Sequence, residues 1–145
     1  MSFSKNLESK NIAPIVLDDV YKKFNFIPDL VKIDTQGYEF NILSGSQSLL
    51  SQSNTKTIFI IEFWPKGLQD QSYSLSKLVN LINKKYFSFF ALFEENKSIF
   101  NISIDHLLDW SKTIMSPSTD RYMNIIFGHS SNSEIKALKL KAKQE

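Results

Sequence analysis

A short apolar run, followed by a polar turn and a second apolar segment, constrains this chain more than any other stretch. Residues 30–33 (LVKI) predict a buried strand, residues 34–37 (DTQG) a turn, and residues 38–43 (YEFNIL) the start of a helix. Ligands of an open parallel sheet bind beyond the carboxyl ends of its strands, so Asp34 is a candidate site residue. The alternative is that Asp34 caps the helix that follows it.

A second strongly apolar run ends in the same way. Residues 57–63 (TIFIIEF) predict a central strand that carries Glu62 near its end. If the two strands are neighbours, they bring Glu62 and Asp34 to one edge of the sheet. Trp64 comes next, and the proline and glycine that follow it predict a loop. Trp64 is therefore a candidate pocket residue, although aromatic residues beside buried strands more often belong to the core.

Strands and helices alternate from residue 30 to residue 93, and hairpin signals join residues 87–93 to residues 98–102. This order predicts a three-layer α/β domain with a mostly parallel sheet and a terminal antiparallel hairpin. We expect one domain over residues 1–128. Residues 129–145 are a polar, Lys-rich tail, which we expect to be a solvated, frayed helix or disorder.

Charge and composition argue against several classes of function. The net charge is only +2, and acids and bases are interspersed, which gives no support for nucleic-acid binding. The chain has no cysteine, and His106 and His129 lie far apart, so no metal site is expected. The sequence shows no signal peptide and no membrane-spanning run. We therefore predict a cytoplasmic protein that does not act at a membrane.

Residues 31–45 (VKIDTQGYEFNILSG) resemble the signature of FkbM-type methyltransferases. That family uses S-adenosylmethionine and has the Rossmann-like class I methyltransferase fold. Three shorter motifs stand in the order that the family shows, namely LDD at residues 17–19, IEFWP at 61–65 and NIIF at 124–127. The resemblance covers roughly residues 13–128.

The resemblance implies roles for five residues. Asp34 would lie beside the methyl donor, as a cofactor-binding and catalytic residue, or beside the acceptor hydroxyl. Glu62 would be a second catalytic acid, and Glu39 would orient the turn. Trp64 and Gln36 are candidate residues of the substrate pocket. Many members of the family have Glu at the position of Gln36, so this turn carries one charge fewer.

The four glycines lie too far apart to form a G-x-G-x-x-G loop. In class I methyltransferases a glycine loop follows the first strand and holds S-adenosylmethionine. By resemblance, this chain is therefore expected to begin after that loop and to have a truncated class I topology. In that topology the last strand inserts antiparallel between the second and third strands, and residues 30–33 lie at an edge.

Two functions follow from these patterns. The first is an S-adenosylmethionine-dependent methyltransferase that acts on a hydroxyl of a small molecule or a sugar, as the resemblance implies. The second is a non-catalytic remnant, or a partner-binding subunit of a split methyltransferase. In the second case the edge strand would pair with a second copy of the chain, forming a homodimer, or with a complementary amino-terminal half.

Overall fold

A computed structural model describes residues 13–93, 97–113 and 118–144 of the chain. Residues 94–96, which belong to the predicted hairpin turn, lie outside the described residues, as do residues 1–12, 114–117 and 145. No helix within the described ranges is both long enough and apolar enough to cross a membrane.

The described residues form helices and strands in an alternating order. In chain order they are α1 (Leu17–Phe24), β1 (Leu30–Ile33), α2 (Glu39–Ser44), β2 (Ile58–Phe63), α3 (Pro65–Asp70), α4 (Leu75–Ile82), β3 (Phe87–Phe93), β4 (Ser98–Ile102), α5 (Ile104–Lys112), β5 (Met123–His129), α6 (Ser133–Lys141) and β6 (Lys143–Gln144). The predicted α/β class is correct.

One six-stranded sheet has the order β1-β2-β5-β3-β4-β6. The pairs β1–β2 and β4–β6 are parallel, and the other three pairs are antiparallel. The sheet is therefore mixed, and the prediction of a mostly parallel sheet was wrong. The reason is that β5 runs antiparallel between β2 and β3, where the class I topology would insert its last strand. The antiparallel β3–β4 hairpin is present, and β1 lies at one edge.

The core occupies both faces of this sheet. Along β2, Phe59 and Ile61 belong to a large buried cluster, whereas Ile58 and Ile60 pack against a smaller one. Successive side chains of a strand point to opposite faces, so the two clusters lie on opposite sides of the sheet. The larger cluster includes side chains from α2, α4 and α5, and the smaller one includes Ile135 of α6.

The segment after His129 packs against the sheet, contrary to the expected solvated tail. Asn132 caps α6 by accepting hydrogen bonds from the backbone amides of Glu134 and Ile135. Ile135 is buried beneath Gly128, where a Cβ would lie 3.1 Å from the Ile135 side chain. Ile135, with the partly buried Leu138 beside the same cluster, therefore attaches this Lys-rich helix to the sheet.

We expect Phe127→Ala to lower the free energy of unfolding by about 3–5 kcal/mol, because it removes a fully buried ring. That ring stacks on Phe59 at 4.9 Å and lies 5.5 Å from both Phe87 and Phe89. Urea unfolding measures the loss. Leu140→Ala is the control, since Leu140 is 89% exposed, and it should change stability by less than about 0.5 kcal/mol. Equal effects of the two substitutions would contradict the described core.

Candidate functional site

The candidate site lies where β1 and β2 end and β5 begins, an edge of the sheet that we call the rim. Ile33 of β1 pairs with Ile61 of β2, so the next residues along the two strands, Asp34 and Glu62, are neighbours. Glu62 is in turn the register partner of Asn124 at the start of β5. Three strands thus bring polar side chains to one place.

Asp34 does not cap the helix that follows it. Helix α2 begins at Glu39 with Tyr38 as its N-cap residue, and no side chain caps it. The Asp34 carboxylate instead forms a salt bridge of 3.0 Å with Lys32, and its side chain is 43% exposed. The alternative that Asp34 is a helix cap was therefore wrong, and its carboxylate stands at the open side of the rim.

Glu39 is fully buried and holds the turn that separates β1 from α2. Its Oε1 atom accepts hydrogen bonds from the Thr35 amide at 3.0 Å, the Thr35 hydroxyl at 3.1 Å and the Gly37 amide at 3.3 Å. The other carboxylate oxygen, Oε2, is buried with no hydrogen-bond partner among the described residues. One acidic side chain thus replaces the backbone hydrogen bonds that this sharp turn cannot make.

The turn has an unusual backbone that brings Gln36 to the rim. Gln36 has φ 56° and Gly37 has φ 101°, both in the left-handed region that side chains disfavour. A Cβ at Gly37 would also lie 2.6 Å from the carbonyl carbon of Gly67 in α3, so no side chain fits there. In this conformation the Gln36 Nε2 donates a hydrogen bond of 3.2 Å to Glu62 Oε2.

Glu62 is only 7% exposed, and the pKa of its carboxyl is raised above the ordinary glutamate value. Burial is the main cause that raises the pKa of its carboxyl, the negative charges of Asp34 and Glu39 raise it further, and Lys32 opposes them. A carboxylate with a raised pKa accepts a proton more readily than an ordinary glutamate, which is the property of a general base. The structure therefore brings Asp34, Glu39, Glu62 and Gln36 together in one group.

Trp64 lies at the same end of β2 but has other partners. The predicted loop at this point is wrong, because α3 begins at Pro65 and Trp64 is its N-cap residue. The indole Nε1 donates a hydrogen bond of 3.0 Å to Asp120, whose second oxygen forms a salt bridge of 3.1 Å with Lys66. Asp120 and Lys66 were missed by the sequence analysis, since a contact across 56 residues has no local signal.

Other ionisable groups do not form a second centre within the described ranges. No group of three or more His, Asp or Glu side chains there could hold a metal ion. His129 Nδ1 lies 2.7 Å from the Ser131 hydroxyl, and its ring stacks on Tyr86. His129 ends β5 and therefore lies at the opposite end of that strand from the rim.

We expect Glu39→Ala to destabilise the chain by about 1–3 kcal/mol, because the buried amides of Thr35 and Gly37 would lose their acceptor. Glu39→Gln keeps an oxygen at this position and should cost less. The measurement is urea unfolding of both variants. If Glu39→Ala proved as stable as the wild type, the turn would not depend on this carboxylate.

The raised pKa of Glu62 predicts a pH-dependent stability. The folded chain favours the protonated carboxyl, so the unfolded chain loses that proton at lower pH. Stability should therefore fall as pH rises from the ordinary glutamate pKa through the raised value. Glu62→Gln has no proton to lose, and it should remove this slope in urea unfolding at a series of pH values. Glu134→Gln, on the exposed surface of α6, is the control and should keep it.

A comparison with protein families gives one match: a family model described as the methyltransferase FkbM domain matches residues 2–88. No curated protein and no solved structure gives a significant match. The matched range contains the turn, both rim carboxylates, Trp64 and more than half of the chain. This chain therefore belongs to the FkbM methyltransferase domain family.

Proposed function

We propose that this chain takes part in transfer of a methyl group from S-adenosylmethionine to a hydroxyl of a small molecule or a sugar. The observation that carries the proposal is the pairing of Glu62 with Gln36 beside Asp34, at the rim that belongs to the family's signature. Buried carboxylates with a fixed hydrogen-bond donor are a common arrangement for moving a proton.

In this proposal Glu62 accepts the proton of the acceptor hydroxyl. S-adenosylmethionine supplies an electrophilic methyl group when it is bound. Gln36 orients the Glu62 carboxylate through its amide, and Glu39 holds Gln36 in place through the turn. Asp34, which is half exposed beside Lys32, faces the open side of the rim and would contact the donor or the hydroxyl.

The rim residues fit the reactive end of the donor by charge. Three carboxylates, those of Asp34, Glu39 and Glu62, lie close to a single lysine, and the sulfonium and amino groups of S-adenosylmethionine are cationic. Glu39 also leaves one buried oxygen without a partner among the described residues. The sequence has no glycine-rich loop that could hold the rest of the cofactor, so the fit is limited to the reactive end.

The strand order supports the finer topology that the resemblance implies. β1 and β2 are parallel, and β5 is inserted antiparallel before β3, which is the arrangement expected for the later strands of a class I methyltransferase sheet. We propose that the described strands correspond to the later strands of that sheet, with the β3–β4 hairpin extending it at the far side.

Calorimetry with S-adenosylmethionine on the purified chain tests donor binding, and a methyl-transfer assay with candidate alcohols tests the reaction. We expect Glu62→Gln to lower the rate by about 10²-fold or more, because it removes the proton acceptor and keeps the shape. Asp34→Asn should weaken donor binding or the rate. Asp109→Asn, on the exposed surface of α5, is the matched control. An unchanged rate in Glu62→Gln would exclude the proposed base.

A second candidate function, binding of a partner chain, is favoured by the apolar surface around β1. Seven of the nine exposed large hydrophobic residues in the described ranges come from residues 15–38. They are Ile15, Val16, Phe24, Phe26, Ile27, Leu30 and Tyr38. Within those ranges β2 is the one strand that β1 pairs with, and a strand at the edge of a sheet can add a further strand. We propose that this edge receives a strand from a second copy or from a complementary chain that carries a glycine loop.

We expect Val31→Pro to weaken such an assembly, because proline removes a backbone donor from β1. Size-exclusion chromatography with light scattering, carried out across a dilution series, measures the mass of the chain alone. A dimer that Val31→Pro dissociates identifies a second copy as the partner. A monomer at every concentration excludes the homodimer.

A further inference from the structure

Trp64 continues β2 beyond Glu62 in an extended conformation. Its φ of −126° and ψ of 92° are those of a strand residue, and it stands two residues after Glu62. Side chains two residues apart on a strand leave the same face, so the indole and the Glu62 carboxylate start from one side of the sheet. Trp64 is neither buried nor fully exposed. It is therefore a large apolar group that borders the candidate base.

The indole is held at its polar edge. Its Nε1 donates to Asp120 Oδ1 at 3.0 Å, and Lys66 binds Asp120 Oδ2 at 3.1 Å. The hydrogen bond and charge of Lys66, together with the indole N–H, lower the pKa of Asp120, so this carboxylate is ionised at neutral pH and keeps accepting from the indole. The only polar atom of the Trp64 side chain thus has a partner, and its remaining surface is apolar.

The indole is also held over one glycine. A Cβ at Gly67 would lie 2.6 Å from the ring atom Cζ3, so the ring occupies the space of a side chain at that position. Gly67 in turn packs against Gly37 in the turn that carries Gln36. Contacts of this kind fix the position of the ring relative to the rim carboxylates. A residue fixed in this way loses little conformational entropy when a ligand binds.

We propose that Trp64 is the stacking platform for a pyranose ring, whose hydroxyl then reaches Glu62. This inference rests on the proposed function and names its acceptor class. A pyranose has a face of C–H groups that packs on an aromatic ring, and hydroxyls at its edge that donate to carboxylates. A flat aromatic ligand would stack equally well, but it would bring no hydroxyl donors to replace the water it removes from Asp34 and Glu62, and these carboxylates would keep only Lys32 and Gln36 as partners. The combination of a held indole and two carboxylates therefore selects a sugar.

Binding is tested in the absence of S-adenosylmethionine, in a Trp110→Phe background where Trp64 is the one tryptophan left. Methyl β-D-glucopyranoside and methyl α-D-mannopyranoside are the probes, and sorbitol is the acyclic control with the same kind of hydroxyls. We expect at least one pyranoside to change the Trp64 fluorescence with saturation, and sorbitol to have no effect. Phenol is the flat control ligand.

Variants then separate stacking from folding. Saturation-transfer NMR measures pyranoside binding by each variant. Trp64→Ala should weaken this binding by roughly tenfold, and Trp64→Phe should retain part of it. Gly67→Ala should weaken binding although the indole is still present, because the new methyl displaces the ring. Gly45→Ala is the matched control, since its Cβ would lie 3.3 Å from the Val16 side chain and no closer than 3.5 Å to the backbone of α2, none of which touches the indole. Thermal unfolding of each variant checks that it folds.

Three results would overturn the platform: no saturable pyranoside binding, equal binding by Trp64→Ala, or binding of phenol in place of the sugars. Each of them leaves the proposed role of Glu62 as a base untouched, because no methyl transfer is measured. Conversely, loss of sugar binding in Trp64→Ala supports the platform even if Glu62→Gln has a normal rate.

Discussion

The rim depends on one buried carboxylate, that of Glu39. Three donors of the turn point at one of its oxygens, and without them the left-handed backbone at Gln36 and Gly37 would have little to compensate its strain. The turn then sets the position of the Gln36 amide, and the amide meets Glu62. A residue of α2 therefore controls a contact between the turn after β1 and strand β2.

Gln36 places a neutral hydrogen-bond donor beside the Glu62 carboxylate. Glu62 is already buried next to the charges of Asp34 and Glu39, which make its ionised form costly. A glutamate at position 36 would add a further negative group at hydrogen-bond distance, whereas the Gln36 amide donates a hydrogen bond to the Glu62 oxygen. The neutral side chain thus stabilises the ionised form of Glu62 that a proton acceptor needs.

The sequence predicted the strands well, because their apolar runs are long and uninterrupted. Residues 87–93 and 98–102 have the predicted bounds, and Ser103 caps α5 as its position suggests. Local patterns alone did not predict longer-range features. The antiparallel insertion of β5 between β2 and β3 was expected only from the family resemblance, and the contact of Trp64 with Asp120, which joins segments 56 residues apart, was missed. Ile135 is the one fully buried residue of α6, with Leu138 partly buried beside the same cluster, and so short an apolar pattern gives little periodic signal in a Lys-rich segment.

The insertion of β5 has a consequence for the order in which the chain can fold. β2 and β3 do not pair with each other, and both pair with β5, which follows them in the chain. Until residue 129 has been synthesised, the β1–β2 pair and the β3–β4 hairpin are separate units with facing edges exposed. Such long-range closure slows folding and leaves open edges for misassembly. The two parts of the sheet are thus joined at its centre by a strand that is synthesised after both of them.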